Sequence, residues 1–296
     1  MVTLLSPDSA IDALESEVIL PNRHLNPTLG VIIAKDAPED DQSYLRSILS
    51  KGKKYNVNVL VQECENAIAA QQAINTMKQN PAMYGIIILS HFGGADPALY
   101  NSIPTRLDID CLSSVTLGRL MANTSNIGYR LAPCAAVAAW KMLEYNGYKD
   151  LSDHKVAILG RSLRVGRPLA EILCQKNATV TVFHTKSPKS KFLEDYDIVI
   201  SAIGSPKEIA YYNPYYFESA ANSNLWCTKV IIDVGINVDE NGNLCGDVDI
   251  DSFRDCERNI WITPTPGGIG KLATVCLFSK VFSNAVNMYS KVEAGL

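Results

Sequence analysis

Short apolar runs rich in β-branched residues recur along this chain, each followed by a polar, helix-forming stretch. In the first half they are TLGVIIAK (Thr28 to Lys35), NVNVLVQEC and MYGIIILS. In the second they are KVAILG, ATVTVFH, DIVISAIG, KVIIDVGI and NIWITPTP. Strands alternating with helices predict a parallel sheet covered on both faces. The helices expected between them include residues 41–55, where Tyr44, Leu45, Ile48 and Leu49 keep helical spacing. ENAIAAQQAINTMKQN is a second, stopped by Pro81, and APCAAVAAWKMLEYNGY a third, ended at Asn146-Gly147. A last helix follows Gly270, whereas the residues before Thr28 leave little room for a long leading helix. At roughly 100–200 residues per domain, a chain of 296 residues makes two α/β lobes.

The 27 basic and 31 acidic residues give a formal charge of -4, which offers no electrostatic case for nucleic acid or an anionic membrane. Apolar runs such as Gly85 to Leu89 fall far short of the ~20 residues that span a bilayer. The first residues turn polar early and carry no basic region, so a cytoplasmic protein is expected. Eight cysteines (Cys64, Cys111, Cys134, Cys174, Cys227, Cys245, Cys256 and Cys276) are spread singly, and the four histidines are isolated from one another. Zinc sites need paired ligands at short spacing, so no metal is expected and the cysteines read as reduced and mostly buried.

The most informative local feature is LGRSLRVGRPLA, Leu159 to Ala170. Gly160 closes a strand, Gly166 permits close backbone approach, and Pro168 suits the first turn of a helix. Such a turn points backbone N–H groups and a positive helix end at a phosphate. Ser162 stands where a full GxGxxG has its second glycine, and on these residues alone a plain βα turn fits as well. The next strand ends in His184, Thr185 and Lys186, where NAD-preferring folds carry an acid for the ribose 2′-OH. A hydroxyl and cations there, with Arg161 and Arg164 in the turn, favour a 2′-phosphate and hence NADP. A solvated basic turn is the plain alternative. DVGIN (Asp233 to Asn237), GDVD (Gly246 to Asp249) and TPTPGGIG before the last helix are strand-end segments where open α/β sheets collect ligands.

Taken in order, GRS, VG.P.A, ATVT..H, DVGIN, GDVD and TPTPGGIG resemble the methylenetetrahydrofolate dehydrogenase/cyclohydrolase family. Pro133-Cys134 is similar to the family's PCTP segment and Asp108-Ile109-Asp110 to its DVDG element, with Cys111 replacing the glycine. The resemblance implies an N-terminal folate lobe over 1–135 and a Rossmann-like NADP-binding domain over 136–270. A C-terminal helix over 271–296 would return to the first lobe, with the site in a cleft and the chain a homodimer. It implies NADP held by Gly160, Arg161, Ser162, Val165, Gly166, His184, Thr185, Ile236 and Gly267. Folate would meet Tyr44, Ile48, Leu89, Ser90, His91, Asp110, Pro266 and Gly267, with Tyr44 and Asp110 the catalytic pair and Asp110 on the pterin.

The family's helix motif SYVxxK, whose lysine drives the cyclohydrolase step, reads Ser43-Tyr44-Leu45-Arg46-Ser47-Ile48 here. Its QLPLP element, whose glutamine partners that lysine, becomes Leu89-Ser90-His91-Phe92-Gly93. Hydride transfer relies on the cofactor's chemistry, whereas hydrolysis of the methenyl product needs a poised proton carrier. The expected activity is therefore NADP-dependent oxidation of 5,10-methylenetetrahydrofolate with weak or absent cyclohydrolase. Two other readings stay open: the same fold and cofactor with another small substrate, or a silent nucleotide-binding subunit.

Overall fold

The computed structural model describes residues 2–94, 96–122, 131–187, 195–211, 230–254, 256 and 259–293. It begins with β1 (Val2–Leu4), too short to stand out in the sequence. Residues 8–25 are then helical throughout, as α1 (Asp8–Leu14), a π-helical turn (Glu15–Ile19) and a 3₁₀ segment (Leu20–Leu25). This corrects the expectation of little room for a long leading helix before Thr28. Ala10, Ile11, Leu14 and Ile19 form its buried stripe, and Pro21 sits in the first turn of the last segment, where its missing N–H costs nothing.

Next come β2 (Thr28–Ala34), α2 (Glu39–Tyr55), β3 (Asn58–Cys64), α3 (Ala67–Met77), β4 (Met83–Ile88), α4 (Asp96–Ser102) and α5 (Ser114–Ala122). The start of α2 carries Glu39, Asp40 and Asp41 and its end Lys53 and Lys54, each sign complementing the helix dipole. The Asn66 side chain caps α3 by accepting from Ala69 N. After α6 (Cys134–Tyr145) follow β5 (Lys155–Leu159), α7 (Gly166–Cys174), β6 (Thr179–Phe183), β7 (Ile198–Ser201) and β8 (Val230–Asp233). The small hairpin β9 (Asn237–Val238) and β10 (Leu244–Cys245), then β11 (Ile260–Ile262) and α8 (Ile269–Glu293), complete the order.

Two compact units result: Ala10–Cys134 with Ala273–Leu296, and Met1–Ser9 with Ala135–Leu272. The first nine residues thus join the second unit, because β1 pairs in parallel with β11. The first unit holds a parallel sheet in the order β3-β2-β4. Both β2 and β4 are buried along their whole length, which is why their sequences do not alternate. The expectation of two covered faces fails at β3, an edge strand whose Leu60 and Val61 remain 39% and 37% exposed. Phe278, Val281, Phe282 and Ala285 of α8 are fully buried in this unit, and Phe278 meets Tyr55 edge to face at 5.3 Å.

Length and composition would let Ile269–Asn287 cross a membrane, an apolar stretch longer than the short runs suggest. Most of it is buried inside the protein, as befits a core helix. The cysteines follow expectation in part: six of the seven described are buried, none is in a disulfide, and Cys174 is exposed. Cys227 lies outside the described residues.

The second unit is built on a six-stranded parallel sheet, β1-β11-β8-β7-β5-β6. From β5 the chain adds β6 on one side and β7 on the other. That reversal creates a switch point at the carboxyl ends of β5 and β7, where sheets of this kind bind ligands.

Candidate active site

At the switch point, Gly160 leaves β5 at φ +111°, a conformation that favours glycine. Its N–H donates to Phe183 O of β6 at 2.9 Å. A Cβ at Gly160 would lie 2.3 Å from Ala202 O, so the turns after β5 and β7 touch. A Cβ at Gly166 would lie 2.1 Å from Gly160 O. The turn is therefore drawn tightly under the start of α7, with Pro168 buried in its first turn as expected. Ser162 accepts from Val165 N at 3.1 Å, a hydroxyl holding the turn in place of a second glycine. Arg161 and Ser162 are exposed and Val165 is half-buried.

His184 and Thr185 follow β6, directly beside β5. His184 Nδ1 accepts from Lys186 N at 3.1 Å, so Nε2 carries the ring proton and is the donor. Ser187 folds back to accept from His184 N, fixing the turn. Replacing Gly166 with alanine is expected to cost about 1–3 kcal/mol through overpacking against backbone. Thermal unfolding and a nucleotide titration check this, and nucleotide affinity should fall at least tenfold.

Two buried carboxylates tie down the neighbouring strand ends, and the sequence reading did not single them out as site residues. Asp247 accepts from Ser201 Oγ, Ile203 N, Ser205 N and Asn237 Nδ2, gathering the segments after β7 and β8. Asp233, at the end of β8, accepts from Gly235, Asp247 and Val248 N–H groups. Burial pushes its carboxyl up to about 7, with Asp247 adding to the rise and the three N–H donors opposing it. Gly235 and Gly246 leave the space these carboxylates fill: a Cβ there would lie 2.2 Å from Asp247 and 1.8 Å from Asp233. Ile236 is thereby held 39% exposed, and a Cβ at Gly270 of α8 would lie 3.3 Å from its Cδ1. Pro266 and Gly267 form the exposed turn before α8, with Gly267 at φ +107°.

The remaining expected residues belong to the three-stranded unit. Tyr44 is half-buried on α2, and Ile48, one turn along, is fully buried with 0% exposure. Ile48 thus packs as core rather than lying open in the wall expected for the substrate. Leu89 is 4% exposed. Ser90, at the end of β4, accepts from Ala34 N at 3.1 Å and donates to Asp41 Oδ2 at 2.7 Å. It thereby joins the ends of β2 and β4 to the first turn of α2 and fixes the position of Tyr44. Asp41 escaped the sequence reading because this partner lies 49 residues away. His91 projects into solvent with Nδ1 2.6 Å from Asp96 Oδ2.

The paired aspartates separate into two roles. Asp108 accepts from Leu112 N, Ser113 N and Thr116 Oγ1, so it shapes the entry to α5. Asp110, 7% exposed, accepts from Cys134 N at 3.0 Å at the start of α6. Cys111, standing where glycine was expected, adopts φ +55°. Among the described residues no group of three or more metal-binding side chains converges.

Residues 133–289 match the family model for the tetrahydrofolate dehydrogenase/cyclohydrolase NAD(P)-binding domain. A relative from Coprothermobacter proteolyticus, named bifunctional protein FolD, is 32% identical over 289 residues, covering 95% of this chain and 97% of its own. One of the same name from Clostridium botulinum is 30% identical over 272 residues, 90% of each chain. Among solved structures, the bifunctional 5,10-methylenetetrahydrofolate dehydrogenase/cyclohydrolase of Thermoplasma acidophilum is 26% identical with TM-score 0.79, covering 97% of this chain and all of that one. The Trypanosoma brucei dehydrogenase-cyclohydrolase, solved with NADP and an inhibitor, shares the fold at 24% identity and TM-score 0.81, covering 97% and 98%.

Proposed function

The chain belongs to the tetrahydrofolate dehydrogenase/cyclohydrolase family, and from that membership we propose that it oxidises 5,10-methylenetetrahydrofolate with NADP and hydrolyses the product poorly. The observation that carries the cofactor half is the switch-point turn. Gly160 and Gly166 leave no room for side chains between the β5 turn, Ala202 and α7, so backbone N–H groups meet a pyrophosphate closely. The residues present fit NADP: Arg161 and the Nε2 of His184 would be the donors toward its 2′-phosphate, and among the described residues after β6 no acid stands ready to select a free 2′-OH. Ile236 and Gly267 would hold the nicotinamide end, and the Asp233 and Asp247 carboxylates fix the residues on either side of Ile236.

When bound, NADP would supply the hydride acceptor for oxidation of the methylene bridge to the methenyl product. The chain's own part is to bind and orient. Asp110 accepts donors of the aminopyrimidine edge of the pterin, and Tyr44 contacts the folate from α2. Hydrolysis of the methenyl product needs proton transfers that neither Ile48 nor Leu89 performs, and this supports a low cyclohydrolase activity although relatives bear the name bifunctional.

The test is NADP reduction with 5,10-methylenetetrahydrofolate, run in parallel with NAD. Reduction of NADP supports the reading. Nucleotide binding with no reduction overturns it in favour of a silent subunit. Arg161→Ala should weaken NADP by about 1.5–3 kcal/mol, the scale of a charge-assisted hydrogen bond, and leave NAD nearly untouched. Equal losses for both cofactors in titration would refute the 2′-phosphate assignment.

A further inference from the structure

Lys280 lies on α8, 9% exposed, and takes no part in the chemistry above. Its ammonium donates to Ile109 O at 3.0 Å, to Ala132 O, and to Cys111 Sγ at 3.6 Å. An ammonium has three donors and burying it is costly unless they are met; here all three find acceptors. The acceptors are not scattered. Ile109 O belongs to the peptide that leads into Asp110. Ala132 lies two residues before Cys134, whose N–H donates to Asp110 Oδ1.

We propose that Lys280 is a positioning residue for folate recognition, its ammonium clamping the two backbone segments that together aim the Asp110 carboxylate. One contact fixes the backbone that carries Asp110, and another fixes the segment that supplies its hydrogen-bond donor. The third holds Cys111, a residue without glycine's freedom, at φ +55°, a conformation that non-glycine residues rarely adopt. Burial works against the charge on Lys280, but the Asp110 carboxylate and the two backbone carbonyl oxygens it donates to favour the ammonium, so the clamp is cationic at neutral pH. Cys111 itself is pushed up to about 11 by burial, so it faces Lys280 as a neutral thiol.

The proposal rests on Asp110 as the folate-recognising group, and the experiment separates the two. Steady-state kinetics are measured for the full-length protein, Asp110→Asn, Lys280→Met and the double variant, varying 5,10-methylenetetrahydrofolate and NADP separately. Lys280→Met should raise the folate KM about tenfold or more, with kcat lowered less than threefold and the NADP KM unchanged, as expected when binding geometry alone is lost. In the Asp110→Asn background it should add nothing to the folate KM. Lys280→Arg, which keeps charge and donors, should restore most of the affinity. Lys280→Gln, which keeps a neutral donor, reads the same property if Lys280→Met does not fold. Asp110→Asn with an unchanged folate KM would overturn the site reading. If Asp110→Asn raises the folate KM, a lowered melting temperature in Lys280→Met or Lys280→Gln with unchanged folate KM would overturn the clamp.

Discussion

Asp110→Ala is expected to abolish reduction of NADP by 5,10-methylenetetrahydrofolate while nucleotide affinity survives. A carboxylate that accepts two donors from the pterin edge loses two charge-assisted hydrogen bonds of ~1.5–3 kcal/mol each, roughly 10²–10⁴-fold in kcat/KM. A competing effect is built into the same residue. Asp110 Oδ1 accepts from Cys134 N at the start of α6, and removing such a cap costs about 0.5–2 kcal/mol of stability. The two effects have different readouts. Recognition appears in turnover per folded molecule and in the folate KM; capping appears in the melting temperature alone. A variant that melts earlier yet turns over normally would make Asp110 a cap like its neighbour Asp108.

The second large effect concerns the hydrolytic step. Ile48→Lys combined with Leu89→Gln should raise methenyl hydrolysis by roughly 10²–10⁴-fold, the usual contribution of general acid–base catalysis. Ile48→Lys alone should achieve much less. Ile48 is fully buried, so an unpartnered amine there is desolvated, its pKa is depressed, and it is uncharged over much of the working range. For that single variant the unfolded chain binds more protons than the folded one, so stability should fall as pH falls. Thermal melts across pH check the sign, and methenyl hydrolysis followed by absorbance checks the rates. Vigorous hydrolysis by the unaltered protein would mean that another group supplies the base. His91, oriented by Asp96 at 2.6 Å, would then be the residue to replace.

What was legible in the sequence was local. Gly160 and Gly166 announce a tight turn because only glycine tolerates carbonyl oxygens at those distances, and the structure bears this out at Ala202 and Gly160. The strands β2, β4, β5, β7 and β8 are equally plain, since a strand covered on both faces reads as an apolar run with polar residues only at its ends. What was hidden depends on partners remote in sequence. Asp247 looks like any acid in a turn until the fold brings Ser201, Ile203, Ser205 and Asn237 around it. Lys280 contacts Ile109, 171 residues away, and no periodicity in α8 marks it. The strand Val2–Leu4 has three residues, too few for any pattern, and gains its place only by pairing with β11. Ile48 shows both sides: its departure from the lysine motif was evident, but its complete burial was not, and burial makes simple restoration of the amine insufficient.

A single progress curve bears most directly on an NADP-dependent dehydrogenase that hydrolyses its product poorly. The protein is mixed with 5,10-methylenetetrahydrofolate and NADP, and NADPH and 5,10-methenyltetrahydrofolate are followed together. The expected result is methenyl product accumulating one for one with NADPH and decaying only at the rate seen without protein. NADPH formed while the methenyl product passes at a protein-dependent rate to the formyl derivative, or no NADPH at all, would contradict it.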